Sequence, residues 1–380
     1  MTGKITPWEV TGKVNYEKII KEFGVSPITP KLKERLARHA KKKNKPLHHL
    51  IRRNIFFCHR NLDTLLNEYE KGKPFFLYTG RAPSGHTHLG HLISWILAKW
   101  LQDVFDAELW FQFPDDEKFL FKEDLTLEET ATFTKENMLD VIALGFNPKK
   151  THFLINTLHA GILYKEAIKV AKRITFSTAK AAFGFRNDTN IGAIFYTSMQ
   201  AVPAFLPSVL KKKTLNCLIP HGVDQDPHFR LTRDVIGKLG YPKPASIQCV
   251  FLPPLSGTGG KMGTSTADAP FNTIFTTDSP STIKKKINKY AFSGGQATVE
   301  EHRKRGGNTD VDVSYQYLRY FEEDDQQLER IKRDYESGKL LTGELKAILI
   351  EKLSAFLTKH QENREKARQL TSKFLFRQHT

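Results

Sequence analysis

The 380-residue chain is predicted to be an α/β protein: a doubly wound, Rossmann-like parallel sheet with an all-helical C-terminal domain and an appended N-terminal region. Three observations predict it. Between about residues 74 and 254, short apolar runs alternate with stretches of helical period. One strand-like run leads through a turn into a helix that opens with His88-Leu89-Gly90-His91. From about Ser281 onward the chain is polar and helical in pattern.

Residues 1–70 form the appended region. It opens with Ile5-Thr6-Pro7-Trp8-Glu9-Val10, continues through a short helix near residues 16–23, and reaches a basic helix after Pro30. Residues 71–280 form the Rossmann-like domain, with strands expected at 75–79, 109–113, 152–156, 215–220 and 248–252. Helices are expected at 91–105, 126–144, 160–172 and 227–239. Thr126 and Glu129 have the spacing of a capping box at one helix start. Residues 281–380 form the helical domain. There Leu345, Ile348, Leu349, Leu353, Phe356 and Leu357 recur on one helix face, and the acidic run 322–325 is a loop or a helix start.

Two short clusters carry the chemistry. The first, His88-Leu89-Gly90-His91, sits at a helix start beyond a strand end. A helix start offers free N–H groups and a partial positive charge, which suit phosphate. Gly90 lets a base or sugar approach the backbone, and the histidines offer ring N–H donors. Taken alone, the same pattern is equally a packing glycine with polar caps. The second, Lys261-Met262-Gly263-Thr264-Ser265, follows the glycine- and proline-rich stretch 253–260, which is neither helix nor central strand. A lysine on a flexible loop can reach a polyphosphate as charge develops in a transition state. Alone, it is more simply a solvated turn.

The formal net charge of +17 favours an anionic partner, most plausibly nucleic acid. Between residues 31 and 60 eleven Lys or Arg face one acid, Glu34, and further basic runs lie at 211–213, 284–286 and 303–305. Any single run also reads as a solvated face. Cys58, Cys217 and Cys249 are too few and too scattered for a disulfide framework or a zinc site. No apolar run reaches the ~18 residues that span a bilayer, and Met1-Thr2-Gly3-Lys4 lacks a secretory apolar segment. The expectation is a cytoplasmic protein with no membrane partner.

Four further runs narrow the reading: Leu77-Tyr78-Thr79-Gly80-Arg81-Ala82-Pro83-Ser84, Gln112-Phe113-Pro114-Asp115-Asp116-Glu117-Lys118, Gly222-Val223-Asp224-Gln225-Asp226-Pro227-His228-Phe229-Arg230 and Ala291-Phe292-Ser293-Gly294-Gly295. With the two clusters they resemble the class I aminoacyl-tRNA synthetases, specifically the tryptophanyl-tRNA synthetases of the eukaryotic and archaeal type. The resemblance covers nearly the whole chain, and the 222–230 run is its most specific part.

The resemblance implies that L-tryptophan is activated by Mg-ATP and passed to the terminal adenosine of tRNA(Trp), without a protein nucleophile. It implies a homodimer, ATP and Mg²⁺ as the only cofactors, no protein-bound zinc, and an anticodon-reading role for residues 281–380. By the same resemblance, His88, His91, Lys261 and Ser265 are catalytic, and Thr79, Gly80, Arg81, Gly90 and Met262 join them around ATP. Tyr78 and Gln225 would hold the indole nitrogen, and Gln112, Glu117 and Gln200 the α-amino group. A pocket that demands one hydrogen bond rejects analogues lacking it, so editing is not expected. The family's lysine loop usually carries serine where this chain has Gly263. A tyrosyl-tRNA synthetase, or a non-catalytic tRNA-binding or signalling derivative of the fold, remains the alternative at this point.

Overall fold

The computed structural model of the chain describes residues 20, 21, 23–263 and 269–377. Its strands are β1 (Ser26–Pro27), β2 (Phe56–Arg60), β3 (Phe75–Gly80), β4 (Glu108–Phe113), β5 (Thr151–Ile155), β6 (Asn216–Gly222) and β7 (Ala245–Cys249). They form one sheet in the order β1-β2-β7-β6-β3-β4-β5. From β7 to β5 every pairing is parallel, as the alternating pattern predicts. The last strand lies at Ala245–Cys249 rather than 248–252, because its register against β6 runs from Leu218↔Ala245 to Gly222↔Cys249.

No strand is expected from the sequence before residue 75, yet β2 pairs antiparallel with β7, and β1 with β2. The apolar run of β2 is short and lies inside the most basic stretch of the chain. Only its partners explain it: Phe56 and Cys58 are buried, and the Arg60 guanidinium meets Asp226 through bonds of 3.0 and 2.8 Å.

The helices of seven residues or more begin with α1 (Pro30–Lys41), α2 (Leu62–Glu70), α3 (Leu89–Phe105), α4 (Asp115–Phe121), α5 (Leu127–Ala143), α6 (Ala160–Ala171), α7 (Phe176–Phe183), α8 (Ile191–Met199) and α9 (Asp226–Ile236). Of these, α2, α4, α7 and α8 are not expected from the sequence. The capping box of α5 is formed: the Glu129 amide donates to Thr126 Oγ1 and the Thr126 amide to Glu129 Oε2. After them come α10 (Pro280–Tyr290), α11 (Val299–Arg305), α12 (Val313–Phe321), α13 (Asp325–Glu336) and α14 (Thr342–Ala367). The acidic run 322–325 starts a helix, with Asp324 capping α13. Leu345, Leu349, Leu353 and Leu357 of α14 are buried, and Ile348 and Phe356 pack beside them. The helix expected near residues 16–23 lies largely, and Trp8-Glu9-Val10 wholly, outside the described residues.

Side chains alternate across a strand, so the sheet has two cores. Leu77, Leu109, Phe111, Phe113, Phe153 and Leu218 face α3 and the helical region. Phe76, Tyr78, Trp110, Leu154, Cys217 and Ile219 face α6 and α8. The chain runs β3-β4-β5 outward in one direction and returns to β6 on the other side of β3. That reversal opens a crevice beyond the carboxyl ends of β3 and β6, where ligands of such sheets bind.

Candidate active site

The crevice is built first from backbone. A Cβ at Gly80 would lie 2.7 Å from the Gln112 carbonyl oxygen, so only glycine lets β3 and β4 end side by side. The chain then places Arg81 under the start of α3. The guanidinium is buried, and its Nε donates to Asn137 Oδ1 at 2.6 Å. Its remaining nitrogens meet the carbonyls of Gly85 and His86 and the Nε2 of His91. Burial pulls its pKa down to about 10, which still leaves it charged at neutral pH.

His88 is the N-cap of α3, and its ring lies 3.6 Å, centroid to centroid, from that of His91. Burial first, and Arg81 second, push both imidazoles well below the ordinary histidine range, so both are neutral. Arg81 can only donate, at 2.6 Å to His91 Nε2, and the His88 amide approaches His91 Nδ1 at 3.2 Å. A neutral ring has one N–H and one acceptor nitrogen, so with Nε2 accepting from Arg81 the N–H of His91 sits on Nδ1, turned toward the His88 backbone. From the sequence, both histidines are expected to donate. Here the charged donor beside them is Arg81, and His88 Nδ1 is buried without a partner among the described residues.

The second cluster faces the first. Met262 is buried, its amide donating to the Leu252 carbonyl, and a Cβ at Gly90 would lie 3.7 Å from the Met262 Cβ. The Lys261 ammonium is held 2.7 Å from Asp224 Oδ2, above the Phe251 ring. Among the described residues, a Cβ at Gly263 would meet nothing within 4 Å, so their packing does not demand glycine there. Ser265 lies outside the described residues.

A chain of hydrogen bonds runs beneath. Tyr78 OH donates to Gln112 Oε1 at 2.5 Å, and Gln112 Nε2 to Asn156 Oδ1 at 2.9 Å. Asn156 Nδ2 donates to Asp116 Oδ1 at 2.8 Å. Beside it, Tyr196 OH lies 2.7 Å from Glu117 Oε2 and also meets Gln200 Oε1. Gln225 Nε2 faces Asp224 Oδ2 at 3.2 Å, which leaves the amide oxygen to accept. Thr79 Oγ1 ties β3 to the Pro220 carbonyl. The lining is rich in acceptors, with a buried carboxylate, Glu117, among them. Such a lining suits a ligand that donates, an ammonium or an N–H.

The structure thus brings together, from β3, β4, α3, α4, the end of α8, the turn after β6 and the loop after β7, every described residue that the sequence nominates. It adds Tyr196, Asn156, Asn137 and Asp224. Tyr196 stands one helical turn before Gln200, and Asp224 lies within the 222–230 run, so both were within reach of sequence reasoning. Asn137 and Asn156 carry no sequence signal.

A family model for class I tRNA synthetases (W and Y) matches residues 70–358. The tryptophan–tRNA ligase of Sulfolobus acidocaldarius is 51% identical over 373 residues, covering 98% of this chain and 95% of the relative. The cytoplasmic tryptophan–tRNA ligase of Schizosaccharomyces pombe is 46% identical, covering 97% and 95%. The crystal structure of Plasmodium falciparum tryptophanyl-tRNA synthetase superposes with a TM-score of 0.89 at 44% identity, covering 96% of this chain and 98% of that one.

One titration follows from the pocket. Burial drives the Asp116 carboxyl from 3.8 up to about 7, with Asp115 and Glu117 adding and the Asn156 amide opposing. The unfolded chain loses this proton near 3.8 while the folded chain keeps it to about 7. Its stabilising contribution is therefore complete below the lower value and disappears as pH rises through the upper one. Asp116→Asn should flatten the fall in stability between those limits, read by urea denaturation at several pH values. An unchanged pH slope would place the Asp116 carboxyl in water.

Proposed function

The chain belongs to the class I tRNA synthetases and, within them, to the tryptophanyl-tRNA synthetases, and we propose how its residues divide that ligase's work. One observation carries the reading. An acceptor-lined pocket and a cationic, glycine-floored crevice meet at the end of β3, one fit for an aromatic amino acid and the other for a triphosphate.

The tryptophan carboxylate attacks the α-phosphorus of ATP. A new P–O bond forms, the α–β anhydride breaks, and pyrophosphate leaves. A ribose hydroxyl of the terminal adenosine of tRNA then attacks the acyl carbon of this mixed anhydride; a C–O ester bond forms, the acyl C–O bond to phosphate breaks, and AMP leaves. Neither step needs a protein nucleophile, so position and charge do the work. Gln112, Glu117 and Gln200 present acceptors to the α-ammonium. Tyr78 and the free amide oxygen of Gln225 accept from the indole N–H. Thr79, Gly80 and Gly90 let the nucleotide lie against backbone. Arg81 and the α3 amino end, with His88 and His91, face the phosphates. Lys261, with Met262 and Ser265, serves the departing pyrophosphate, and its bond to Asp224 is the contact it exchanges for phosphate.

Mg²⁺ would enter on ATP, where it neutralises phosphate charge. Among the described residues no group of three or more His, Cys, Asp or Glu could hold a metal ion. For the homodimer, support comes from Leu158, Tyr164 and Ile168, large apolar side chains exposed on and just before α6. No helix of the described residues is long and apolar enough to cross a membrane. A cytoplasmic place is the reading favoured by the name of the S. pombe relative.

Tryptophan-dependent ATP–pyrophosphate exchange by the intact protein tests the reading, and tyrosine should not replace tryptophan. Lys261→Ala should lower single-turnover adenylate formation by ~10²–10³ while calorimetry finds tryptophan affinity little changed. Collapse of affinity at an unchanged rate would refute that role.

Gln225→Ala and Tyr78→Phe should each weaken the preference for tryptophan over its benzothiophene analogue, by roughly 1–3 kcal/mol per acceptor. If both variants kept the wild-type ratio, the indole would lie elsewhere.

We also propose that the helical region after residue 280 reads the anticodon, supported by its basic runs at 284–286 and 303–305 and by base recognition through stacking and edge contacts. Changing the anticodon of the tRNA should lower charging by the intact enzyme and leave pyrophosphate exchange untouched. Charging indifferent to the anticodon would assign the region another role.

A further inference from the structure

The ATP-facing crevice is held from behind by one stretch of the long C-terminal helix. Four residues within little more than one turn of α14 bond to two separate segments that frame it. Toward α5, His360 Nε2 lies 2.9 Å from Asp140 Oδ1. Arg364 meets Asp140 Oδ2 and, at 2.9 Å, Glu136 Oε2. Asn363 Nδ2 donates to the Ala143 carbonyl at 3.2 Å. His360, Arg364 and Asp140 are all buried, so this is an internal ionic junction. Toward the segment after the lysine loop, Gln361 Nε2 donates to the carbonyls of Thr276 and Asp278, at 2.9 and 3.0 Å.

Each segment continues directly into the crevice. On α5, Asn137 stands one turn before Asp140 and accepts from Arg81 Nε at 2.6 Å, while its own amide donates to the Gly85 carbonyl. On the other segment, the Thr276 amide donates to the Thr87 carbonyl, and the Leu89 amide at the start of α3 donates to the Ile274 carbonyl. Thr273 Oγ1 donates to the carbonyl of Gly263, inside the lysine loop. Lys286 of α10 locks this segment through the Thr273 carbonyl and Asp278. Among the described residues, by contrast, the tryptophan pocket has no such bond to α14.

We propose that His360, Gln361, Asn363 and Arg364 are positioning residues for the ATP subsite, so that the seating of the helical region on α5 and on residues 273–278 sets how Arg81, the α3 amino end and Lys261 meet the triphosphate. This rests on reading the crevice as the ATP site. The helical region then enters the first half-reaction through ATP alone. A brace that only stabilised the fold would affect both substrates or neither.

The test uses the intact protein with Gln361→Ala, Arg364→Met and Arg364→Lys, and with solvent-facing Lys359→Ala as control. Calorimetry with Mg-ATP alone, and with tryptophan alone, is run beside pyrophosphate exchange. Gln361→Ala and Arg364→Met should weaken ATP binding and raise the ATP KM roughly 3- to 20-fold, with tryptophan affinity within about twofold of wild type. Arg364→Lys should recover part of the loss. Pairing Arg364→Met with Asn137→Ala should cost less than the two separate effects combined, because both act through α5. Unchanged ATP affinity in both variants, or ATP and tryptophan weakening together, would overturn the proposal. Gln361→Ala removes only two bonds to carbonyls, so it still decides the matter if Arg364→Met fails to fold. A wild-type chain without tryptophan-dependent exchange would refute the catalytic reading instead, and the ATP affinities would still judge the brace.

Discussion

The rest of the structure depends on a buried cation. Arg81 has little access to water and makes no salt bridge among the described residues. Moving an unpaired charge out of water costs several kcal/mol in practice. The fold offsets that cost with neutral acceptors: the Asn137 amide oxygen, two turn carbonyls and one histidine ring nitrogen. None of these cancels the charge; the Asp140 and Glu117 carboxylates also favour it, from beyond ion-pair distance. A triphosphate entering at the start of α3 therefore meets a positive potential that is fixed before it arrives, as a site of this kind requires.

That cation explains much of its surroundings. Both histidines are driven neutral, partly by its field. Helix α5 must present Asn137, so α5 must itself be fixed, and Asp140 with Glu136 fixes it against α14. The turn after β3 must return its carbonyls to the guanidinium, which sets where α3 begins. Lys261, the mobile counterpart in the proposed chemistry, has its own carboxylate in Asp224. One positive group is thus held by neutral dipoles and the other by an exchangeable ion pair. The two arrangements suit a permanent anion site and a contact made late.

The neighbouring pocket follows the opposite rule. Its Tyr78, Gln112 and Asn156 satisfy one another in series, and Tyr196 joins Glu117 to Gln200. Interlinked acceptors specify a donor by leaving no comfortable place for anything else. Asp116, pushed up to about 7 by burial, marks how strongly this region resists charge that no ligand meets.

The sequence by itself determined the parallel α/β core, the helix that opens at His88, the capping box at Thr126, the buried stripe of the last long helix, and the family. These are legible because each is written locally: period-2 and period-3.6 patterns, cap spacing, and short motifs whose residues are neighbours in the chain. Only the tertiary structure decided the rest. β2 joins the sheet because β7 offers an edge and Asp226 receives Arg60, partners far away in the chain. Asn137 and Asn156 enter the crevice because α5 passes beside Arg81 and β5 ends against Gln112. An asparagine carries no mark of the group it will face. The neutrality of the histidines, the seat of Lys261 on Asp224 and the junction of Asp140 with His360 and Arg364 were likewise settled only in the fold. Burial and long-range electrostatics set them, and neither exists until the chain has closed around them.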